Sequence, residues 1–152
     1  MSDTTYSPSP ATGAYEAPAA GAVHATLTIP GSKSLTNREL MIAAIADGPG
    51  RLIAPLHSDD SRRMIDALRA LGIGIDEVEG GGEFGPDLVV TPGPLRGGTT
   101  IDCGQAGTVM RFVTPLAGLA AEDVHLTAHE SALHRPMGAM ITALRDLGVD
   151  ID

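Results

Sequence analysis

The stretch Pro30-Gly31-Ser32-Lys33-Ser34-Leu35-Thr36-Asn37-Arg38 joins two kinds of hydrophobic pattern and carries Lys33, the sole lysine of the chain. Before it, Val23 to Ile29 ends in the alternating run Leu27-Thr28-Ile29, which predicts a strand. After it, Leu40-Met41-Ile42-Ala43-Ala44-Ile45-Ala46 is apolar, so Ser34 to Ala46 reads as a helix. The local order is therefore strand, turn, helix. The first N–H groups of a helix have no intrahelical partner and carry partial positive charge, and Ser34, Asn37 and Arg38 add side-chain donors around Lys33. Such a turn suits a phosphate or a carboxylate; the bland alternative is a capped surface helix.

Working outward, Gly48-Pro49-Gly50 stops that helix and Arg51 to Leu56 reads as a second strand. Ser58 offers an N-cap to a helix whose apolar stripe is Met64, Ala67, Leu68 and Leu71, closed by Gly72. Ile73 to Val78 and Asp87 to Thr91 read as strands around the run Gly80-Gly81-Gly82-Glu83-Phe84-Gly85. No helix follows that glycine run, so it is a hairpin loop rather than a phosphate cradle.

Thr99 to Asp102 then reads as a strand, Gly104 to Thr108 as a turn, and Val109 to Ala121 as a helix that holds Pro115 only with a kink or as two pieces. Val124 to Ala128 is the next strand, and Met137, Met140, Ile141, Leu144 and Leu147 stripe a last helix closed by Gly148. The segment Asp66-Ala-Leu-Arg-Ala-Leu-Gly-Ile-Gly-Ile-Asp76 recurs 76 residues later as Thr142-Ala-Leu-Arg-Asp-Leu-Gly-Val-Asp-Ile-Asp152. A period of that length predicts an α/β fold of repeated βαβαββ units, one over about 23–93 and a second, incomplete one over about 97–152.

Composition narrows the function classes. At 152 residues the chain can bury one modest core, and 43% hydrophobic with 19% charged residues is ordinary for a globular domain. Two Phe, two Tyr and no Trp leave few platforms for stacking single-stranded nucleic acid, and a net charge of -9 disfavours duplex binding. Small anions stay open as ligands, because a site depends on a few converging cations. Cys103 is alone, which removes an intramolecular disulfide and a cysteine metal cluster and makes the cytoplasm the default compartment. Residues 1–22 read as a flexible tail, with neither the basic start nor the apolar core of a signal peptide or membrane span. His125, His129 and His134 straddle a strand, a loop and a helix start, so no metal site is expected of them.

The basic residues repeat as well. Ser34 with Arg38, and Gly107 with Arg111, each place a turn residue and an arginine four apart on one helix face, while Arg135 precedes Pro136 before the last helix. Arg111 and Arg135 could each instead be spent on a surface ion pair with acids such as Asp59, Asp60 or Glu130.

Pro30-Gly31-Ser32-Lys33-Ser34 with Asn37-Arg38, Ser58-Asp59-Asp60, Ala106-Gly107-Thr108 with Met110-Arg111, and Arg135-Pro136 resemble, in order and spacing, the EPSP synthase family of enolpyruvyl transferases. The resemblance covers about Val23 to Asp152. It implies transfer of the 1-carboxyvinyl group of phosphoenolpyruvate to the 5-hydroxyl of shikimate 3-phosphate, with loss of phosphate, in chorismate and aromatic amino-acid biosynthesis. It implies that Lys33 is catalytic and touches both substrates, that Ser34 and Arg38 hold shikimate 3-phosphate, that Gly107 and Arg135 hold phosphoenolpyruvate, and that Arg111 shapes the same pocket. No cofactor, metal, nucleic acid or membrane is implied, and the complete enzyme would be a monomer. Gln105 and Phe112 stand where many members carry Asn and Pro, a difference expected to adjust inhibitor contact.

The family's fold has two lobes, each of three units, so a missing C-terminal part is the expected partner and the chain alone is expected to be inactive. Asp59 and Asp60 are expected to cap a helix or orient an arginine rather than to move protons. Three other readings compete. A P-loop needs Gly directly before the lysine, and Ser32 intrudes. The related transferase acting on UDP-N-acetylglucosamine has a lysine-asparagine pair where Ser34 follows Lys33 here. A non-catalytic anion-binding module would use only the helix N-termini.

Overall fold

Ser32, in extended conformation, caps the first helix: its hydroxyl accepts from the Leu35 N–H at 3.4 Å, and α1 (Lys33–Ala44) begins one residue earlier than expected. The protein is described by a computed structural model at residues 21, 22 and 24–152. The expectation for the tail therefore lies almost wholly outside the described residues. After α1 come β1 (Gly50–Leu52), α2 (Asp59–Ala70), β2 (Gly74–Val78), β3 (Asp87–Thr91), β4 (Thr99–Asp102), α3 (Gly107–Ala117), β5 (Val124–Thr127), α4 (Glu130–Leu133) and α5 (Gly138–Asp146).

The strands form two sheets. One has the order β1-β3-β2, antiparallel throughout, with Arg51 opposite Val89 and Asp76 opposite Val89 on the other side. The other pairs β4 with β5 in parallel, Ile101 opposite Leu126. The β2-β3 hairpin around Gly80 to Gly85 is as expected, and the chain is of the α/β class. Helix α2 lies at the centre and touches α1, α3, β2 and β4. Its Met64, Ile65 and Leu68 are buried with Leu40 of α1, Leu88 and Val90 of β3, and Val109 and Val113 of α3. This core of small and medium aliphatic chains is the consequence of a sequence almost without aromatics.

Three expectations are corrected, and one helix is new. Residues 24–29 form no strand (Val23 lies outside the described residues), and Leu27 and Ile29 are exposed. A strand exists through its ladder, and no described strand runs beside this segment. The second strand ends at Leu52 rather than Leu56, because Ala54 takes a left-handed conformation (φ 48°) and Pro55 has no N–H to donate. Helix α3 runs through Pro115 in one piece and stops at Ala117 rather than Ala121; beside the proline, the Thr114 hydroxyl donates to the Met110 carbonyl at 2.6 Å. The short helix α4 had no sequence signal beyond His129, whose Nδ1 accepts from the Ser131 N–H as its cap.

The 76-residue echo is written into the backbone. Gly72 and Gly148 both turn left-handed (φ 95° and 92°) after α2 and α5. Ile73 N–H donates to Leu68 O and Val149 N–H to Leu144 O, both at 3.0 Å, the six-to-one bond of a Schellman cap. Arg69 Nε then donates to Ile75 O (3.1 Å) and Arg145 Nε to Ile151 O (2.8 Å). The repeated letters thus specify the same helix stop and the same arginine clasp twice.

Candidate functional site

Two turns carry the candidate residues, and each is built by side chains that bond back to the main chain. At the first, Lys33 opens α1 and extends its ammonium to Asp60 on the first turn of α2, with Nζ 2.8 Å from Oδ2. Asp60 is held there by a capping box: Ser58 accepts from the Ser61 N–H, and Ser61 accepts from the Ser58 N–H at 2.7 Å. Ser61 also donates to the Leu56 carbonyl at 2.6 Å, tying the cap to the preceding loop. The starts of α1 and α2 therefore share one ion pair, and Lys33 remains half-exposed. Asp59 is almost wholly exposed and pairs with Arg62 at 3.5 Å.

Ser34 is exposed, and its carbonyl accepts from Arg38 Nη1 at 2.8 Å. The Arg38 guanidinium stacks over Phe112, 5.6 Å from the ring centroid. A cation over an aromatic face is attracted by the ring quadrupole, so Phe112 holds Arg38 in place from α3. Phe112 is thus more than a variant beside Arg111: it links α1 to α3. Asn37, in contrast, is fully buried, with no hydrogen-bond partner for either side-chain atom among the described residues, and so does not join the donors around Lys33.

At the second turn, Gly107 opens α3 behind Ala106, which supplies no side-chain cap. The space a Cβ would take at Gly107 is filled by the Arg135 guanidinium, with Arg111 Nη1 3.2 Å from the same point. Arg111 Nη2 donates to the Pro136 carbonyl at 3.2 Å. Gly107, Arg111 and Arg135 are therefore brought together, and only a residue without a side chain leaves room for this arrangement. Among the described residues neither arginine forms an ion pair with Asp59, Asp60, Glu130 or any other acid. The contacts of Lys33 and those of the Gly107 group share no residue.

A further pair escaped sequence reading. Asp102 Oδ1 accepts from the Gly104 N–H at 2.8 Å, and Oδ2 from Arg63 at 2.7 Å. The Gly104 hydrogen bond, followed by Arg63, holds this carboxyl below its ordinary range. Gly104 is left-handed (φ 52°), and Arg63 lies where its Cβ would be. Asp102 is the strand end expected of it, and Asp two residues before Gly is also an Asx-turn pattern, the signal that carries this bond in the sequence. The next residue, Cys103, is buried, which together with the Asp102 charge pushes its thiol up to about 11.

Comparison with known proteins gives the family of the chain. Residues 18–152 match the family model described as EPSP synthase (3-phosphoshikimate 1-carboxyvinyltransferase). The 3-phosphoshikimate 1-carboxyvinyltransferase of Kocuria rhizophila is 47% identical over 133 residues, which cover 85% of this chain and 30% of that protein. Two solved structures of EPSP synthase from Acinetobacter baumannii superpose with TM-scores of 0.70 and 0.69 at 26% and 27% identity. They cover 82% and 80% of this chain and 28% and 27% of theirs, so the chain spans under a third of the length of these relatives. By the match over residues 18–152, this chain belongs to the EPSP synthase family.

Proposed function

We propose that the chain supplies one wall of the active site of a 3-phosphoshikimate 1-carboxyvinyltransferase, the remaining length found in its relatives supplying the other. The observation that carries this reading is the convergence of Arg111 and Arg135 over Gly107 without an acid partner among the described residues. Cations left uncompensated at the start of a helix favour a doubly charged ligand. In this reading Gly107 and Arg135 hold phosphoenolpyruvate and Arg111 shapes its pocket. Ser34 and Arg38 hold shikimate 3-phosphate, and Lys33 bridges the two.

The chemistry then follows from charge. Two polyanions must be brought to near-attack distance before the 5-hydroxyl of shikimate 3-phosphate adds to C2 of phosphoenolpyruvate, C3 takes a proton and phosphate leaves. Lys33, Arg38 and Arg135 offset the repulsion, and their charge-assisted bonds fix orientation. The groups that carry the protons are assigned to the rest of the enzyme. Asp60 serves to orient Lys33, the partner an arginine was expected to be. The complete protein works as a cytoplasmic monomer without a cofactor.

Phosphate release from phosphoenolpyruvate in the presence of shikimate 3-phosphate tests this. The chain joined to the remaining length of the enzyme is expected to turn over, and the chain alone to be inactive. Ordinary turnover by the chain alone would overturn the shared site, and tight binding of shikimate 3-phosphate by it without turnover would favour an anion-binding module.

A further inference from the structure

The Lys33 turn leans on a loop that a buried carboxylate holds in shape. Asp87, at the start of the central strand β3, is 1% exposed. Its Oδ1 accepts from the Ala54 N–H at 2.8 Å, and its Oδ2 accepts from Arg51 Nε at 2.9 Å. Arg51 is steadied in turn, because its Nη2 donates to the Glu79 carbonyl at 2.9 Å. Gly80 makes room for the cluster, since a Cβ there would strike the Asp87 carboxylate. Ala54 is the only non-glycine residue with positive φ among the described residues, a conformation that costs an L-residue energy and persists only when its surroundings enforce it.

What the strained residue supports is the turn of Lys33. A Cβ on Gly31 would lie 3.0 Å from the Ala54 carbonyl oxygen and 3.3 Å from the Leu56 nitrogen, so the main chain of residues 54–56 packs directly on Gly31. The same loop is pinned to α1 on its other side, where the Leu56 N–H donates to Thr36 Oγ1 at 2.9 Å. It then leads through the Ser58 cap to Asp60, the partner of Lys33. One loop therefore seats both the backbone that carries Lys33 and the carboxylate that orients its ammonium.

We infer that Asp87 is a positioning residue for Lys33, acting through the left-handed Ala54 and the 54–56 loop on the Gly31-Ser32-Lys33 turn. This rests on the proposed function only where Lys33 is given a part in the reaction; the mechanical link stands on the geometry alone. Asp87→Asn keeps an acceptor for Ala54 but loses the charge that anchors Arg51. Gly31→Ala leaves Asp87 intact and forces the turn off the loop. Ala54→Gly adopts the left-handed conformation without the Cβ cost.

The test has two readouts. In the isotope-labelled chain, Asp87→Asn and Gly31→Ala should each shift the amide resonances of Ser32, Lys33 and Ser34, while the Val89 and Val90 amides of the sheet keep their exchange protection. In the complete enzyme, both variants should lower kcat/KM by about tenfold through kcat, the scale of a sub-ångström to one-ångström misplacement. Ala54→Gly added to Asp87→Asn should recover part of that loss, which a general structural defect would not allow. If Asp87→Asn fails to fold, Arg51→Gln, which removes the cation paired with Asp87, tests the same link by the same amides. Unmoved amides at residues 32–34 with the sheet intact would overturn the inference. Moved amides with unaltered kinetics would leave the link standing and remove Lys33 from the chemistry, which is the failure of the proposed function instead.

Discussion

The ammonium of Lys33 and the carboxylate of Asp60 meet at 2.8 Å and join the first turns of α1 and α2. Both side chains keep contact with solvent, so the pair sets an orientation more than it adds stability. Lys33→Met and Asp60→Asn should each change the unfolding free energy of the chain by no more than about 1 kcal/mol. Urea denaturation of the purified variants measures this, and a larger loss would make the pair a structural element.

Gly107→Ala places a methyl group where the Arg135 guanidinium lies. The obstructed atoms are the far end of a long side chain, so the arginine should swing away at a stability cost of no more than about 1 kcal/mol. Removing it from the turn should weaken phosphoenolpyruvate binding by about tenfold or more, the scale of a charge-assisted bond of 1.5–3 kcal/mol. Isothermal titration of the complete enzyme measures the binding change.

The helices and hairpin nearest the core were legible because their patterns are local. The stripe of Met64, Ala67, Leu68 and Leu71 needs only its own period to predict α2, and Gly72 after it marks the stop. A shared pocket for Gly107, Arg111 and Arg135 was implied only by the family resemblance; their closeness at the start of α3 is read from the structure. Three features were not legible. The segment before Pro30 alternates like a strand, but pairing depends on a neighbour that no local pattern supplies. Asn37 sits among charged site residues in sequence, yet its place on α1 turns it into the core. Asp87 looked like an ordinary strand start, because its partners Arg51 and Ala54 lie more than thirty residues away.

Two carboxylates should shape the acid limb of stability. The Ala54 N–H, opposed by burial and aided by Arg51, holds Asp87 below the ordinary carboxylate range, and Gly104 with Arg63 does the same for Asp102. Their unfolded values are about 3.9. Because the folded values are lower, their contribution is complete above about pH 4 and is lost as pH falls through the folded values. The denaturation midpoint should therefore drop below about pH 4, and drop less steeply in Asp102→Asn. An acid limb identical in Asp102→Asn would contradict this.

Cys103 sets the alkaline limb in the opposite sense. Its folded thiol ionises only at about 11, whereas an unfolded cysteine ionises at about 8.5. Stability from the neutral buried thiol is complete below about 8.5 and is lost as pH rises toward the folded value. At neutral pH the native chain should react with a thiol-specific disulfide reagent at least about tenfold more slowly than the urea-unfolded chain, since reaction needs an exposed thiolate. Equal rates would place Cys103 at the surface.

The most direct measurement is the rate of phosphate release from phosphoenolpyruvate and shikimate 3-phosphate by the complete enzyme carrying Lys33→Met. With the fold held constant, loss of the cation that the proposed function sets between the two substrates should lower kcat by at least about 10²-fold. A variant that folds normally and retains a near-native rate would contradict the placement of Lys33 in the active site.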